Sequence, residues 1–409
     1  METVDSAWRL LVKQYNRPSI SGVVLGVFHF CRVVVLVILT LQIAGCASRP
    51  GSEVLIPIAN VPASTSKVKI LVATTRERGS KEDPDAFTAE RAKELNFAAL
   101  TISIPTQHVT GEIEWPDTSP PDPRRHFITT KRDFLDANGF LDQIKARARQ
   151  GGPEANDVLV FVHGYNTLYE EAVYWLAQIV HDSGFQGTAV LFAWPSRGKA
   201  PLYLADREAS TYSRDYFEQA LLKVSKLPEV KEINILAHSM GNWLAVESLR
   251  QAKMNGHGDF NGKLADVILA SPDLDVNVFR TQLDVIGKLP RPMTVLVSGD
   301  DKALALSTML AGDVDRAGRV TANDARAIAA AERYNLKVVD LTAVDDGKGN
   351  HHSKYSKSSA VIDAIGKKLK GQTPATQTTQ VGLVTAVTNA GDSLLKVPAA
   401  IIPPAAAAE

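Results

Sequence analysis

The run Ile233-Asn234-Ile235-Leu236-Ala237-His238-Ser239-Met240-Gly241-Asn242-Trp243 reads as an apolar strand, a five-residue turn and the start of a helix, with a serine at the apex. In an elbow of the G-x-S-x-G type the serine sits in strained backbone on a sharp strand-to-helix turn, so its hydroxyl projects where a base and a substrate can reach it. Such a turn needs tiny side chains two residues before and two after the serine, because strand and helix nearly touch there. Ala237 and Gly241 meet that need, the first glycine being replaced by the next smallest residue. A bare pentapeptide of this kind is a weak signal. The β-rich run before it, and Leu244, Leu249 and Ala252 at helical spacing after it, make Ser239 a candidate nucleophile.

A serine hydroxyl attacks only when a base removes its proton, and the base needs an acid to fix its tautomer and stabilise its charge. Behind an elbow of this kind the chain order is serine, acid, histidine. Asp300 and Asp301 follow the apolar run 293–297, and Asp273 and Asp275 follow the run ending at Ala270. The acid is open among Asp301, Asp300 and Asp273, in that order of preference. Past the elbow lie three histidines: His257, in the glycine-rich turn Asn255-Gly256-His257-Gly258, and the pair His351 and His352 beyond the run 338–341. The base is one of the pair, with His352 preferred. A His-His pair with no nearby cysteine or spaced His/Glu partner does not complete a metal site, so neither a metal nor a cofactor is expected. The oxyanion of the reaction needs two N–H donors, one after the nucleophile and one from a loop beyond an earlier strand. Met240 supplies the first, and Tyr165, behind Gly164 in Val162-His163-Gly164-Tyr165-Asn166, the second. His163 reads as a brace for that loop.

These residues need a scaffold, and the pattern predicts one. From residue 157 onward, apolar runs at 158–162, 189–193, 233–237, 267–270, 293–298 and 336–341 alternate with helical stretches at 170–183, 212–227 and 242–255. Near-continuous apolar strands spaced by helices predict a mostly parallel sheet covered on both faces, with ligands at the carboxyl ends of the strands. The runs 68–74 and 97–104 predict antiparallel entry strands, followed by a proline-dense surface stretch at 116–123. The segment 196–213 is placed to act as a lid. Tyr165, Tyr169, Trp194, Tyr203 and Trp243 are candidates for an apolar binding surface, although Trp194 and Trp243 suit the core better.

With 409 residues and 45% hydrophobic content, the chain can bury the core of one large domain with appendages. Lys+Arg and Asp+Glu are equal at 45 each, so no global field favours nucleic acid. Both cysteines lie near the start: the apolar run from Val33 follows Arg32 and ends Ile43-Ala44-Gly45-Cys46. That ending resembles a bacterial lipoprotein signal peptide, which implies a lipid on Cys46, a mature chain without a thiol, and membrane anchoring in the cell envelope. Ala47 after the cysteine implies sorting to an outer membrane, facing the periplasm. The alternative is an uncleaved transmembrane anchor over 21–42. The expected organisation is a signal peptide over 1–46, a flexible tether over 47–67, the domain over 68–370 and a low-complexity, disordered tail over 371–409.

The motifs taken in order, Phe161-Val162-His163-Gly164-Tyr165-Asn166, Phe192-Ala193-Trp194-Pro195-Ser196, Ala237-His238-Ser239-Met240-Gly241-Asn242, Ala270-Ser271-Pro272-Asp273, Asp301-Lys302-Ala303-Leu304 and His352-Ser353, resemble an uncharacterised family of bacterial α/β-hydrolases. The resemblance runs from about residue 68 to about 370. It implies the α/β-hydrolase fold, with Ser239 as nucleophile, Asp301 as acid and His352 as base. The elbow is also similar to that of some small bacterial lipases, a local likeness that does not establish a lipid substrate. The expectation is therefore a lipid-anchored serine hydrolase of esterase or lipase type, acting on a small or lipid-like acyl compound. The rival is an envelope lipoprotein that keeps the fold for binding or scaffolding without turnover.

Overall fold

Ten strands form one mixed sheet in this computed structural model, which describes residues 49–79, 87–321, 324–347, 349–372 and 384–386. The chain enters through three antiparallel strands, β1 (Ser66–Arg78), β2 (Phe87–Ile104) and β3 (Ile128–Leu135), and helix α1 (Ala137–Arg149). Strand and helix then alternate: β4 (Asp157–Val162), α2 (Tyr169–Ser183), β5 (Thr188–Ala193), α3 (Tyr203–Tyr212), α4 (Arg214–Ser225), β6 (Glu232–His238) and α5 (Met240–Met254). There follow β7 (Leu264–Ala270), α6 (Val276–Ile286), β8 (Met293–Val297), α7 (Lys302–Leu310), α8 (Ala325–Tyr334), β9 (Leu336–Asp340), α9 (Lys354–Lys357), α10 (Ser359–Leu369) and β10 (Val384–Ala386). The strands lie in the order β10-β9-β8-β7-β6-β4-β5-β1-β2-β3, and every pairing from β10 across to β1 is parallel.

Two cores explain why the parallel strands read as unbroken apolar runs. All six residues of β4 are buried. Val158, Val160 and Val162 join a core built with α4 and α5, while Leu159 and Phe161 face the other way into a core built with α2 and α10. From β4 the chain goes through α2 to β5 on one side; from β6 it goes through α5 to β7 on the other. Right-handed crossovers therefore put α2 and α5 on opposite faces, and the loops after β4 and β6 part at the carboxyl edge. A crevice opens at that switch point, where such sheets bind ligands.

The sheet matches the mostly parallel architecture expected, and several boundaries move. β3 and α1 went unanticipated, because β3 is an edge strand of mixed polarity with only its first two residues buried. The stretch 47–67, expected as a flexible tether, is docked along part of its length. Ser52–Leu55 form a 3-10 turn with Leu55 buried, and the Val54 carbonyl accepts hydrogen bonds from Tyr174 Oη (2.7 Å) and Thr129 Oγ1 (3.0 Å). Apolar residues at 54 and 55 find cover beside α2, which shortens any tether. In the tail, Val384–Ala386 pairs with β9. The segment expected to be a signal peptide, with Cys46, and the rest of the tail beyond residue 372 lie outside the described residues. Among the described residues no helix is long and apolar enough to cross a membrane.

Lys354 couples the loop after β9 to the loop after β8. Its side chain is almost wholly buried, and Nζ donates to both Asp300 carboxylate oxygens (2.9 Å each) and to the carbonyls of Leu341 and Thr342 (3.0 Å each). Lys354→Met keeps the length of the side chain but leaves these acceptors unmet. It should cost about 2–3 kcal/mol of stability, read as a lower denaturation midpoint in urea at unchanged slope.

Candidate active site

Ser239 caps the junction of β6 and α5 with φ 53° and ψ −124°, a conformation that a side chain rarely adopts. Close packing imposes it. A Cβ on Gly241 would stand 2.4 Å from the His163 carbonyl oxygen and 2.6 Å from that of Val162, so only glycine lets α5 start this close to β4. The backbone is held by hydrogen bonds. Ser239 N donates to Ala270 O (3.0 Å), and Ser239 O accepts from Asn242 N (3.0 Å), Asn242 Nδ2 (2.9 Å) and Asp273 N (3.3 Å). The side-chain hydroxyl has no hydrogen-bond partner among the described residues, His352 included. Such links often tighten only when substrate is bound.

The two adjacent pairs that sequence reading left open are separated by their partners. Asp301, fully buried, accepts from Leu304 N at Oδ1 (2.9 Å) as the N-cap of α7 and meets His352 Nδ1 with Oδ2 at 2.7 Å. Asp300 turns instead to Lys354. His351, at φ 59°, pairs with Asp346 (2.6 Å). Asp273, the third choice of acid, is occupied by Tyr203 Oη (2.8 Å) and Ser307 Oγ (2.6 Å), with Arg316 alongside. His352 is also tied by its backbone. Its carbonyl lies 3.2 Å from His238 Nε2 and accepts from Ser271 Oγ at 3.1 Å, so the strands β6 and β7 both grip this loop. Burial, with His352 beside it, holds the His238 imidazole neutral, well below its ordinary range. Its Nε2 therefore carries the proton that the carbonyl accepts.

On the β4 side, a Cβ on Gly164 would come within 2.9 Å of both Ser239 Cβ and His238 Nδ1. The N–H groups of Tyr165 and Met240 have no acceptor among the described residues. A polar knot that sequence reading missed holds the loop carrying Tyr165. Asp206, buried on α3, accepts from Asn166 N (3.0 Å), Ser196 Oγ (2.6 Å) and Arg197 N (2.6 Å). Ser196 Oγ receives Thr167 N (3.0 Å), and Arg76 from β1 reaches the carbonyls of Thr167 (3.2 Å) and Ser196 (3.1 Å). Burial drives the Arg76 guanidinium down to about 10, offset by Glu170 and Asp206. His163 stacks on Trp194 and lies near the carbonyls of Gly164 (2.9 Å) and Trp194 (3.1 Å). Burial, then Arg76, lowers it to about 3, so it braces the loop as a neutral ring. The segment 196–213 is built into this knot through Ser196, Arg197 and Asp206, and Tyr203 ties it separately to Asp273 (2.8 Å).

A cavity of about 280 Å³ opens beside His352, lined by Ile113, Trp115, Tyr165, Asn166, Thr167, Glu171, Trp175, His238 and Ser353. Of the five aromatic residues singled out in the sequence, only Tyr165 lines it. Trp194 and Tyr169 are core, and Trp243 donates to Thr211 Oγ1 (3.0 Å). Among the described residues one cluster brings metal-ligating atoms together: His108, His181 and Asp182, all within 4.8 Å. Two of the three, His108 and Asp182, are engaged within the protein. His108 spans Glu114 (2.8 Å) and Asp182 (2.7 Å), and Asp182 also accepts from Gly111 N and Gln178 Nε2.

A family model described as an alpha/beta hydrolase of unknown function, DUF900, matches residues 144–371. Among solved structures, the chain is similar to one from a study of two fungal esterases of Rhizomucor miehei and their substrate specificity. The identity is 12% and the TM-score 0.30, over 77% of this chain and 86% of that one. No curated protein matches the sequence.

The packing of Gly164 yields a direct test. Gly164→Ala drives a methyl group into Ser239 and His238, so either the elbow or the N–H of Tyr165 must shift. The overpacking should cost about 1–3 kcal/mol of stability, read as a lower denaturation midpoint in urea. Circular dichroism should show the fold retained.

Proposed function

The chain belongs to DUF900, an α/β-hydrolase family of unknown function, and we propose that the hydrolysis it performs is that of carboxylic esters by a serine nucleophile through an acyl-enzyme. The observations that carry this reading are the strained backbone of Ser239, an Asp301–His352 pair whose carboxylate is buried, and two uncommitted N–H groups flanking the elbow. Asp301 engages His352 Nδ1, which leaves Nε2 as the basic atom and fixes the tautomer. Nε2 takes the Ser239 proton as Oγ bonds to the ester carbonyl carbon. The carbonyl π electrons move onto oxygen, where the N–H groups of Tyr165 and Met240 receive the charge. Collapse of this tetrahedral species breaks the bond to the alcohol oxygen, which leaves with the proton from His352. Water then repeats the sequence on the acyl-enzyme, releasing the acid and restoring Ser239.

A fluorophosphonate probe tests the nucleophile. It should label the purified protein at one site, and Ser239→Ala should lose the label together with about 10³-fold or more of ester hydrolysis. No labelling of the wild type, or equal labelling of the variant, would favour a binding or scaffolding role instead.

We further propose that the enzyme is a lipoprotein held in a bacterial envelope through Cys46. The support is the positive flank, the short apolar run and the ending Ala44-Gly45-Cys46. Radiolabelled palmitate should enter the wild type and be absent from Cys46→Ser. An unlabelled wild type that stays uncleaved in the membrane fraction would point to an anchor over 21–42.

A further inference from the structure

Between β2 and β3 the chain leaves the sheet for residues 105–127, and two of the side chains it carries, Ile113 and Trp115, stand in the wall of the cavity beside His352. Neither belongs to the elements that position Ser239, Asp301 or His352. Three fastenings hold the excursion in place. The Trp115 ring stacks on Tyr174 of α2, with centroids 5.0 Å apart and planes 9° from parallel. Gly111, at φ 89°, lies so close to α9 that a Cβ would stand 2.2 Å from the Lys357 carbonyl oxygen. His108 bridges Glu114 on the excursion and Asp182 on α2. Burial alone would lower its pKa, and the hydrogen bonds to the two carboxylates raise it above the ordinary range.

The lining of the cavity narrows what can enter. Two of its polar groups are spent on the protein: Glu171 Oε2 accepts from Leu168 N (2.9 Å), and Thr167 Oγ1 donates to Tyr165 O (3.2 Å). About half of the wall is polar, with Asn166, His352 and Ser353 among its residues, and the apolar part is built by Ile113 and the indoles of Trp115 and Trp175, the latter fixed by Nε1 donating to Ser356 Oγ (2.8 Å). Rigid aromatic walls favour apolar groups, and the volume lies below the common range for ligand sites, roughly 300–1,000 Å³. Resting on the serine hydrolase reading, we propose that the 105–127 excursion is the specificity wall of the site: Trp115 and Ile113, with Trp175, restrict the enzyme to esters whose apolar group is compact. Short acyl esters are turned over and long-chain lipids are rejected.

The test measures kcat/KM for the acetyl, butyryl, octanoyl and dodecanoyl esters of p-nitrophenol, normalised to sites titrated with a fluorophosphonate. The wild type should favour acetyl and butyryl over octanoyl by about tenfold or more. Trp115→Ala should raise the octanoyl-to-acetyl ratio by about tenfold, and Ile113→Trp should lower the butyryl-to-acetyl ratio. Ile113 is half-buried on a loop, so its variant reads the wall even where loss of the Trp115 stack prevents folding. A wild type that prefers long chains, or profiles unchanged in the variants with Ser239 still labelled, overturns the wall. A wild type that the probe never labels removes the serine hydrolase reading, and the wall falls with it.

Discussion

The carboxyl edge of the sheet is organised around one close approach, that of the end of β4 to the elbow after β6. Gly241 brings the start of α5 under the carbonyls of Val162 and His163, and Gly164 brings the loop after β4 over Ser239 and His238. Each glycine is the missing side chain that lets the other segment in. The strained backbone of Ser239, of a kind that costs about 1–3 kcal/mol, persists because the surrounding hydrogen bonds from Asn242 and Asp273 leave it no alternative. The strained serine is thus a product of packing between two strands that are neighbours in the sheet.

Behind that contact lies a polar scaffold with two parts. Asp206, Ser196 and Arg76 fix the loop carrying Tyr165 from one side, drawing on α3, the segment after β5 and β1. His238 and Ser271 fix the carbonyl of His352 from the other. Donors held in position before substrate arrives need no reorganisation during reaction, which is where such sites gain most of their effect. His238 serves both parts: it precedes the elbow serine, packs against Gly164 and grips the histidine loop.

The alternating core was legible because buried parallel strands and amphipathic helices leave periodic traces, and β4 to β9 fall within a few residues of expectation, whereas β10 lies in the tail expected to be disordered. The edge strand β3 left no such trace, since one buried face and a mixed outer face look like a loop. At the site, the elbow could be read locally, but neighbouring candidates could not be told apart. Asp300 and Asp301 differ only in that Lys354, fifty residues on, captures the first, while capping α7 with Oδ1 leaves Oδ2 of the second for His352. His351 is drawn away by Asp346 in the same manner. Arg76, Asp206 and the cavity aromatics were hidden for a related reason. Their partners are distant in sequence, and a tryptophan ahead of a proline-dense stretch has no local signature.

The boundary of the family match gives the 105–127 excursion a wider meaning. The matched span, residues 144–371, holds Ser239, Asp301, His352, Tyr165 and Met240, whereas Ile113, Trp115 and Arg76 lie upstream of it. On the proposed reading, the reacting groups and Trp175 all lie within the matched span, while Ile113 and Trp115 add to the wall of the cavity from outside it. Such modularity allows the upstream segment to be lengthened, shortened or recoloured by mutation while the chemical engine stays as it is.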